Sequence, residues 1–453
     1  MYLKIAVFAL LILVSSSVHA DWMRFRGPNG SGVSDEKQAT PAEWSAQKNL
    51  KWKVALPGHG SSSPIIVGDK VFVTCWSGYG MNRNDPGDQK DLRRHLVCLD
   101  RKSGKILWDK TVDPVLPEDV YTGMFAEHGY ASHTPTSDGK RVYVYYGKSG
   151  ALAYDLEGNQ LWQTIVGDEL DPRRWGSSSS PILYKDLLIV TATAESEAIV
   201  ALNKETGKEV WRQESSGFNS TWGTPILVPI DDKRTDLVIG VPYEIWSLNP
   251  DNGKLRWFCE ALPTETYCSS VIASNGVIYG IEGRGGGSIA VRADGKGDVT
   301  KSHVVWSGRD SNRIETPVMY QDRIYFFANG VANCIDAKTG ERLFRGRLDS
   351  GNAVASDQSE EEPGNRFGGR QGRGGGGFRG SDYSSPVIAD GKIYFTSRSG
   401  ETHVIKASDK LEPVSVNRLT DDNEDFSATP AISGGQIFIR SDKHLYCIGA
   451  KDS

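Results

Sequence analysis

The sequence carries no strong excess of either charge, because 52 Lys and Arg residues stand against 57 Asp and Glu residues. A net charge of −5 argues against nucleic acid as a partner, and equally against an anionic membrane surface. Common catalytic motifs are also missing. There is no Gly-x-Ser-x-Gly elbow, and no Lys-Ser or Lys-Thr follows residues 283–287 to complete a phosphate loop. These absences favour a non-enzymatic protein.

The apolar run at the start of the chain, residues 5–14, is too short to span a bilayer comfortably. Lys4 precedes this run and Val18-His19-Ala20 follows it as a cleavage site, which predicts a signal peptide over residues 1–20. No Cys follows the cleavage site, so a lipoprotein anchor is not expected. We expect residues 21–453 to form a monomer that is periplasmic or secreted and has no transmembrane segment.

Cysteine is scarce, with six residues in the chain. Cys98, Cys334 and Cys447 occupy one equivalent position of the repeat described below. They should therefore be buried thiols in separate units that cannot pair with one another. Cys259 and Cys268 flank one loop and remain as candidates for a disulfide in an oxidising compartment.

Glycine and tryptophan are abundant, with 50 and 12 residues, as expected of a turn-rich β protein. Residues 201–211 read Ala-Leu-Asn-Lys-Glu-Thr-Gly-Lys-Glu-Val-Trp, and this motif recurs along the chain. Asn and Gly make a tight turn between two strands, and the Trp on the second strand is expected to pack against a neighbouring sheet. The aromatic residues assigned to this docking role are Trp52, Trp108, Trp162, Trp211, Trp257, Trp306 and Phe344.

A Ser or Thr anchor, usually followed by Pro, precedes each unit, and five of the seven intervals between anchors are 44 to 46 residues. The anchors are Ser63, Thr134, Ser180, Thr224, Ser270, Thr316, Ser385 and Thr429. Residues 316–346 divide into four strands, with a turn at Asn329-Gly330 that sets Cys334 opposite Tyr325. By alignment, Cys98 then faces Phe72. Four antiparallel strands repeated radially predict an all-β fold, an eight-bladed β-propeller.

The eighth unit lacks a fourth strand before the chain stops at Ser453. Residues 50–55 precede the first anchor and carry Trp52 where the repeat requires its Trp. We therefore predict that this N-terminal strand completes the last blade, which closes the ring and removes an exposed edge.

Three segments interrupt the repeat: residues 77–94, 113–131 and 349–382. Strand order predicts that all three leave the ring on one face, while the opposite face keeps short turns such as residues 206–208. Residues 349–382 are rich in Gly and Arg and should form a flexible surface loop; export disfavours an RNA-binding role for them. Long loops on one face indicate the face that carries function.

Residues just before the anchors should converge on the ring axis. Their mixture of aromatic and polar side chains suits a polar ligand such as a sugar or a quinone. The alternative for the Ser and Thr residues is structural, because they also fit a crowded axis and bond to the backbone. No catalytic residue or metal ligand is assigned, since the histidines lack ligand spacing. The candidate ligand face consists of His59, His133, Trp175, Trp222, Tyr267, Arg313 and Glu315.

The repeat motif resembles the tryptophan-docking motif of pyrroloquinoline quinone (PQQ) propellers. The stretch Asp21-Trp-Met-Arg-Phe-Arg-Gly-Pro-Asn-Gly-Ser-Gly-Val33 resembles the opening of exported PQQ-binding-like β-propeller repeat proteins of the planctomycete type. Residues 292–306 and 443–449 resemble the same group. This resemblance covers nearly the whole mature chain and implies the quinoprotein alcohol dehydrogenase-like propeller fold.

Two kinds of relative imply two functions. Quinoprotein alcohol dehydrogenases bind PQQ and Ca²⁺ in the central funnel and carry an adjacent Cys pair, whereas this sequence has no such pair and no matching calcium-ligand set. The propeller lipoprotein of the outer-membrane assembly machinery is a non-catalytic scaffold, but this chain lacks its lipoprotein Cys. We expect a propeller without a cofactor that binds an envelope protein or a glycan-like ligand on one face. The alternative is a PQQ-dependent dehydrogenase acting on alcohols or sugars.

Overall fold

The computed structural model describes residues 21–283, 286–312, 314–328, 330–348 and 382–450. Eight antiparallel sheets follow one another around a ring, which confirms the predicted eight-bladed β-propeller. The predicted signal peptide, Arg313 and nearly all of the Gly/Arg-rich insertion lie outside the described residues. Within the described ranges, no helix has the length and apolar character needed to cross a membrane.

Each blade runs from a short first strand at the axis to a fourth strand at the rim. Blade 1 consists of strands Ile65–Val67, Lys70–Ser77, Arg93–Asp100 and Ile106–Val112, and blade 2 of Thr136–Ser137, Arg141–Tyr145, Ala151–Asp155 and Gln160–Thr164. Blade 3 consists of Ile182–Tyr184, Leu187–Ala192, Ala198–Asn203 and Glu209–Glu214, and blade 4 of Ile226–Pro229, Thr235–Val241, Glu244–Leu248 and Leu255–Glu260. A short strand, Gly297–Asp298, adds to the rim of blade 4 in parallel, which the repeat pattern did not predict.

Blades 5 to 8 follow the same plan. Blade 5 consists of strands Ile272–Ser274, Val277–Glu282, Gly287–Arg292 and Val304–Gly308, and blade 6 of Val318–Tyr320, Arg323–Ala328, Val331–Asp336 and Arg342–Arg347. Blade 7 consists of Val387–Ala389, Lys392–Thr396, Glu401–Lys406 and Pro413–Arg418, and blade 8 of Ala431–Ser433, Gln436–Arg440, His444–Ile448 and Leu50–Ala55. Short helices occur at Pro28–Gly30, Gln89–Asp91, Phe125–Glu127, Gly147–Ser149, Thr193–Ser196 and Ser216–Phe218.

The ring closes as predicted, because the N-terminal strand Leu50–Ala55 pairs antiparallel with His444–Ile448. Trp52 lies opposite Cys447 in this pairing. The same register recurs in blade 1, where Cys98 lies between Phe72 and Trp108. Seven of the eight blades therefore place a small residue on the third strand, next to the docking aromatic residue on the fourth. In blade 7 the equivalent pair is Val404 and Ser415.

Each docking Trp residue connects its own blade to the next one. The indole N–H of Trp211 donates to the carbonyl of Pro250 at 3.0 Å, and its ring packs against Gly253 in the turn of blade 4. The indoles of five other docking residues donate to the following blade in the same way: Trp52, Trp108, Trp162, Trp257 and Trp306. Phe344 has no N–H to donate, and its ring packs against Tyr325 of the same blade. An indole thus joins blade 8 to blade 1 and each of blades 1 to 5 to the next blade.

A ring of hydrogen bonds joins the blades at the axis. The backbone N–H of each anchor from Ser63 to Ser385 donates to the hydroxyl of the anchor in the next blade, at 2.9 to 3.0 Å. These bonds agree with the structural interpretation of the repeated Ser and Thr residues, in which they fit a crowded axis and bond to the backbone. Each hydroxyl keeps its own O–H for another acceptor.

The two faces of the ring differ as the strand order requires. Residues 78–92 join the second and third strands of blade 1, and residues 113–131 join blade 1 to blade 2, so both lie on one face. We call it the insertion face. The third predicted insertion lies outside the described residues except for Asp382. The opposite face, the turn face, has tight turns such as residues 204–208.

Cys259 and Cys268 form no disulfide, which corrects the pairing considered from the sequence. Cys259 lies on the rim strand of blade 4 and is buried, whereas Cys268 precedes the axial strand of blade 5 and lines the central cavity. The loop between them crosses the blade from rim to axis. Closeness in sequence therefore does not bring the two thiols together.

Candidate functional site

The ring axis encloses a cavity of about 160 Å³. All eight anchors line it, so hydroxyl groups surround the axis on every side. Aromatic and apolar side chains cover other parts of the wall, among them Phe25, Met124, Trp175, Trp222, Ile314 and Tyr383. The described lining contains no Lys or Arg and one acidic residue, Glu282.

Two indoles form one part of the cavity wall. The rings of Trp175 and Trp222 lie 4.8 Å apart at an interplanar angle of 33°. Trp222 is fixed by its indole N–H, which donates to the carbonyl of Gly176 at 2.7 Å. The backbone of Trp175 is held on both sides, because its N–H donates to Asp171 and its carbonyl bonds to the His128 ring. The pair is therefore a preformed aromatic wall.

The hydroxyl belt consists of the eight anchor side chains. From Thr134 to Thr429, each hydroxyl oxygen accepts a backbone N–H of the preceding blade. Among the described residues, these hydroxyls make no bond that uses their own proton. A Ser or Thr hydroxyl offers one donor and two acceptor positions. The belt can therefore donate to, and accept from, a neutral polar ligand in the cavity.

Glu282 is the one carboxylate among the described lining residues. Its Oε2 accepts the backbone N–H groups of Cys268 and Ser269 at 3.0 and 3.3 Å, and its Oε1 accepts that of Gly283 at 3.0 Å. Burial outweighs these bonds and raises the pKa of Glu282 to about 7. The group is positioned by the backbone and is partly neutral near pH 7, so it does not make the cavity strongly anionic.

His133 lies outside the cavity lining, in a buried polar cluster of blades 2 and 3. Its Nε2 bonds to the Ser177 hydroxyl at 3.1 Å, and that hydroxyl donates to Glu195 at 2.5 Å. Tyr145 donates to the other oxygen of Glu195 at 2.7 Å. Burial lowers the pKa of His133 to about 3 and raises the pKa of Glu195 to about 7. The cluster is thus a hydrogen-bonded network within the protein in which the His133 ring is neutral and the Glu195 carboxyl is partly neutral near pH 7.

Tyr267 is also buried and does not reach the cavity, contrary to its place on the predicted ligand face. Its ring fills the space beside Gly240 and Gly280, where an added Cβ would lie 2.3 Å from the ring and 2.5 Å from the hydroxyl. Two glycines without side chains therefore create a slot that draws the Tyr ring into the core. Such a slot depends on neighbouring strands and cannot be read from Tyr267 itself.

Glu315 is buried as well, and its carboxylate accepts the backbone N–H of Phe327. Burial raises its pKa well above the usual range. Arg313, proposed as its neighbour on the ligand face, lies outside the described residues. Glu315 is not among the described lining residues of the cavity, and the prediction for Arg313 remains a prediction.

His59 lies on the insertion face, beside the cavity and outside its lining. Its ring meets Trp76 edge-on, with centroids 5.7 Å apart, and the two backbones pair through two hydrogen bonds. Of the seven residues predicted for the ligand face, the structure brings Trp175 and Trp222 to the cavity. Among the described residues, no group of three or more His, Cys, Asp and Glu side chains is arranged to hold a metal ion.

The sequence interpretation missed Phe25, Met124 and Glu282. Met124 belongs to the insertion at residues 113–131, and Phe25 belongs to the N-terminal segment, so both reach the cavity from outside the repeat. Glu282 gave a usable signal, because it is a charged residue at the end of the otherwise apolar strand Val277–Glu282. Local pattern could have indicated Glu282, but not the other two.

On the insertion face, ion pairs connect the first two insertions to each other and to blade 7. We call the end of the cavity at this face its mouth. Glu127 of the second insertion bonds to Arg83 of the first at 2.6 Å and to Arg398 of blade 7 at 2.9 Å. Arg398 also pairs with Asp425, which precedes blade 8. This chain of charges fixes the second insertion from both sides, so the mouth is framed by connected loops.

A family model described as "Outer membrane protein assembly factor BamB" matches residues 87–195 and 188–360, which together make up more than half of the chain. The chain belongs to this family. The BamB-type assignment agrees with the closed ring of eight blades and with the PQQ-type docking motif seen in the sequence. The family match establishes the kind of propeller, whereas the ligand or partner of this chain is a separate question.

Two curated relatives of this BamB-type chain are both named polyvinylalcohol dehydrogenase. The protein from a Pseudomonas species is 25% identical over 324 residues, and the one from Sphingopyxis sp. (strain 113P3) is 21% identical over 288 residues. The matches cover 52% and 54% of this chain, and 50% and 40% of the relatives. The chain thus spans half or less of the length of these relatives.

Solved structures of similar fold belong to both functional kinds. BamB from Moraxella catarrhalis superposes over 88% of this chain and 98% of its own, with a TM-score of 0.57 and 13% identity. A quinohemoprotein alcohol dehydrogenase from Comamonas testosteroni covers 96% of this chain and 81% of its own, with a TM-score of 0.61 and 12% identity. At these identities the likeness concerns the fold alone.

Proposed function

We propose that this protein is an exported, non-catalytic propeller that binds a neutral polyhydroxylated ligand, such as a glycan or a polyol, in its axial cavity. The observation that carries the proposal is the hydroxyl belt beside the preformed pair of Trp175 and Trp222. Indole faces stack on the C–H surfaces of sugars, and a belt of hydroxyls exchanges hydrogen bonds with ligand hydroxyls.

The charge of the cavity supports a neutral ligand. Its described lining has no Lys or Arg, and its one carboxylate is held by three backbone N–H groups. A strongly anionic ligand would find no Lys or Arg among the described lining residues, and an unpaired charge in a low-dielectric cavity is costly. The names of the polyvinylalcohol dehydrogenases lend support of another kind, since polyvinyl alcohol is a polyhydroxylated chain.

A PQQ-dependent dehydrogenase is the second candidate, favoured by the names of those relatives. PQQ carries three carboxylates, and the described lining offers them no Lys or Arg. Cys268 stands beside Ser269, so an adjacent Cys pair is absent at the one thiol of the described lining. These residues do not fit the cofactor, and we propose that the protein works without it.

Paired variants test the binding proposal. Trp175→Ala and Trp222→Ala each remove one face of the aromatic wall, and Lys208→Glu on the turn face serves as control. Binding is measured by titration calorimetry against polyvinyl alcohol and against the best sugar from a glycan array. We expect each Trp variant to weaken binding at least tenfold and Lys208→Glu to leave it unchanged. Equal affinities for all three variants would place the site elsewhere.

A protein partner on the insertion face is a further candidate, consistent with the BamB-type family description. Leu116 and Val120 of the second insertion are each 54% exposed, so this insertion presents a pair of apolar side chains to solvent. If this pair contacts an envelope protein, Leu116→Glu with Val120→Glu will reduce co-purification while sugar binding is retained. Unchanged co-purification would remove this candidate.

A further inference from the structure

The N-terminal residues 22–33, here called the floor segment, cross the turn face of the ring. Trp22 pairs with Ile66 in blade 1 through two backbone bonds, and Met23 accepts the N–H of Ser137 in blade 2 at 2.9 Å. At its other end, the carbonyl of Gly32 accepts the N–H of Ile388 in blade 7 at 2.7 Å. The floor segment is thus tied to the first strands of blades 1, 2 and 7.

Arg26 fixes the middle of the floor segment. Its side chain is buried at 1% exposure and donates to the carbonyls of Thr316 and Pro317 at 2.7 and 2.6 Å, and to that of Pro386 at 3.4 Å. Two further bonds, to Gly30 and Ser31, fold the segment around the guanidinium. A buried Arg with five carbonyl acceptors cannot leave without large cost, so the floor segment is a permanent part of the ring.

Phe25, next to Arg26, lines the axial cavity. Met124, His128 and Trp175, from the connections between blades on the insertion face, line the other end. Among the described residues, the cavity thus has its floor at the turn face and its mouth at the insertion face. The eight hydroxyls surround this axis and are reached by a ligand that lies along it. Because Phe25 and the floor segment occupy the turn-face end, an internal stretch of a chain could reach the hydroxyl belt only by turning back within this cavity of about 160 Å³.

Building on the proposed function, we propose that the cavity binds the terminus of a polyhydroxylated chain, end-on, and rejects internal stretches. The terminal unit contacts the hydroxyl belt and lies against Phe25, while the rest of the chain leaves past Trp175 and Trp222. A channel open at both ends would thread an internal stretch, whereas a closed one admits an end only. The floor segment therefore determines which part of a polymer is recognised.

A chain-length series with the wild-type protein tests this inference. Two narrow fractions of polyvinyl alcohol that differ tenfold in mean length are titrated calorimetrically. If the cavity binds ends, the two binding curves superpose when plotted against chain concentration, and the Kd expressed per monomer unit rises tenfold for the longer fraction. Maltohexaose and α-cyclodextrin form a second pair, because both contain six glucose units and the cyclic one has no end. We expect binding of maltohexaose at least tenfold tighter.

The outcomes separate this inference from the proposed function. Curves that superpose against monomer concentration, or equal binding of the linear and cyclic sugars, would overturn end recognition and leave axial binding in place. Absence of binding to all four probes would overturn both proposals.

A variant tests the floor directly. Phe25→Trp enlarges the floor and shortens the cavity, and should weaken binding of the linear probes about tenfold with an unchanged melting temperature. Phe344→Trp is the matched control, because it adds an indole at the rim, where six other blades already have one. Equal affinities of the two variants would show that the terminus does not reach Phe25, which overturns the end-on arrangement.

Discussion

At the scale of single residues, the interface between blades 3 and 4 depends on a large aromatic residue that covers a glycine. Gly253 has a φ of +74°, and an added Cβ would lie 2.6 Å from the ring of Trp211. Glycine is therefore required twice, by the left-handed turn and by the contact. The Trp ring and the turn define each other, which explains why the two residues recur together in the repeat.

Replacing Trp211 by Ala should lower the free energy of unfolding by about 3–5 kcal/mol, because a buried indole is lost and the Pro250 carbonyl loses its donor. Urea denaturation monitored by circular dichroism gives the value. Val210→Ala on the same strand is the control: Val210 is 53% exposed and its truncation should change stability by less than about 0.5 kcal/mol. Similar losses for both variants would contradict the docking role.

A second residue-scale feature is the buried carboxyl of Glu195, which is bonded to Ser177 and Tyr145. Burial raises its pKa from 4.5 to about 7, so the folded protein holds this proton over a range in which the unfolded chain has lost it. The folded state then binds more protons between these values, and stability falls as pH rises from about 4.5 to 7.

Glu195→Gln keeps the size of the side chain and removes the titration. We expect the stability of this variant relative to wild type to increase by about 1–3 kcal/mol between pH 4.5 and pH 8. Urea unfolding at both pH values measures the difference, with the exposed Glu214→Gln in the same blade as control. A difference that is constant with pH would show that Glu195 does not titrate in this range.

At the scale of elements, two N-terminal pieces complete a ring that the repeat leaves unfinished. The strand Leu50–Ala55 covers the edge of His444–Ile448, and the floor segment closes the axis from the turn face. Both join N-terminal residues to blades formed by the C-terminal part of the chain. Ring closure thus couples the two ends of the sequence.

Deleting residues 21–56 should expose the edge of the strand His444–Ile448 and cause aggregation, because an unpaired edge strand is a template for other chains. Size-exclusion chromatography with light scattering compares the truncated chain with the protein that begins at Asp21. A truncated protein that remained monomeric, with an unchanged unfolding midpoint, would refute the closing role of this segment.

At the scale of the whole molecule, the propeller fold is shared by BamB and by a quinohemoprotein alcohol dehydrogenase, so the fold does not decide the function. The decision depends on the chemistry of the axial cavity. Its hydroxyls and indoles suit a neutral ligand, and a tricarboxylate would find no Lys or Arg among the described lining residues.

Titration calorimetry with PQQ and Ca²⁺ should therefore show no sub-micromolar binding, and no dye should be reduced in the presence of alcohols or sugars. The same preparation titrated with polyvinyl alcohol provides the positive control for a folded, binding-competent cavity. Tight binding of PQQ that requires Ca²⁺ would promote the dehydrogenase candidate over the binding protein.

The sequence alone determined the blades, because their signals are local. Turn residues, the docking Trp and the anchors recur at a fixed spacing, and the register across each hairpin follows from its turn. The pairing of Cys334 with Tyr325 and of Cys98 with Phe72 was predicted in this way and is confirmed. The closing strand also followed from local pattern, because the docking Trp of the repeat marks a fourth strand and Trp52 is such a residue.

Tertiary structure alone decided which axial residues reach the cavity. The repeat predicts that Tyr267 and Trp222 occupy similar places, yet one enters a slot made by two glycines and the other lines the wall. Phe25 reaches the cavity because Arg26 is bound by carbonyls of blades 6 and 7, some 290 to 360 residues away in sequence. A side chain's direction at a shared axis depends on every blade around it, and a local pattern contains no record of those distant neighbours.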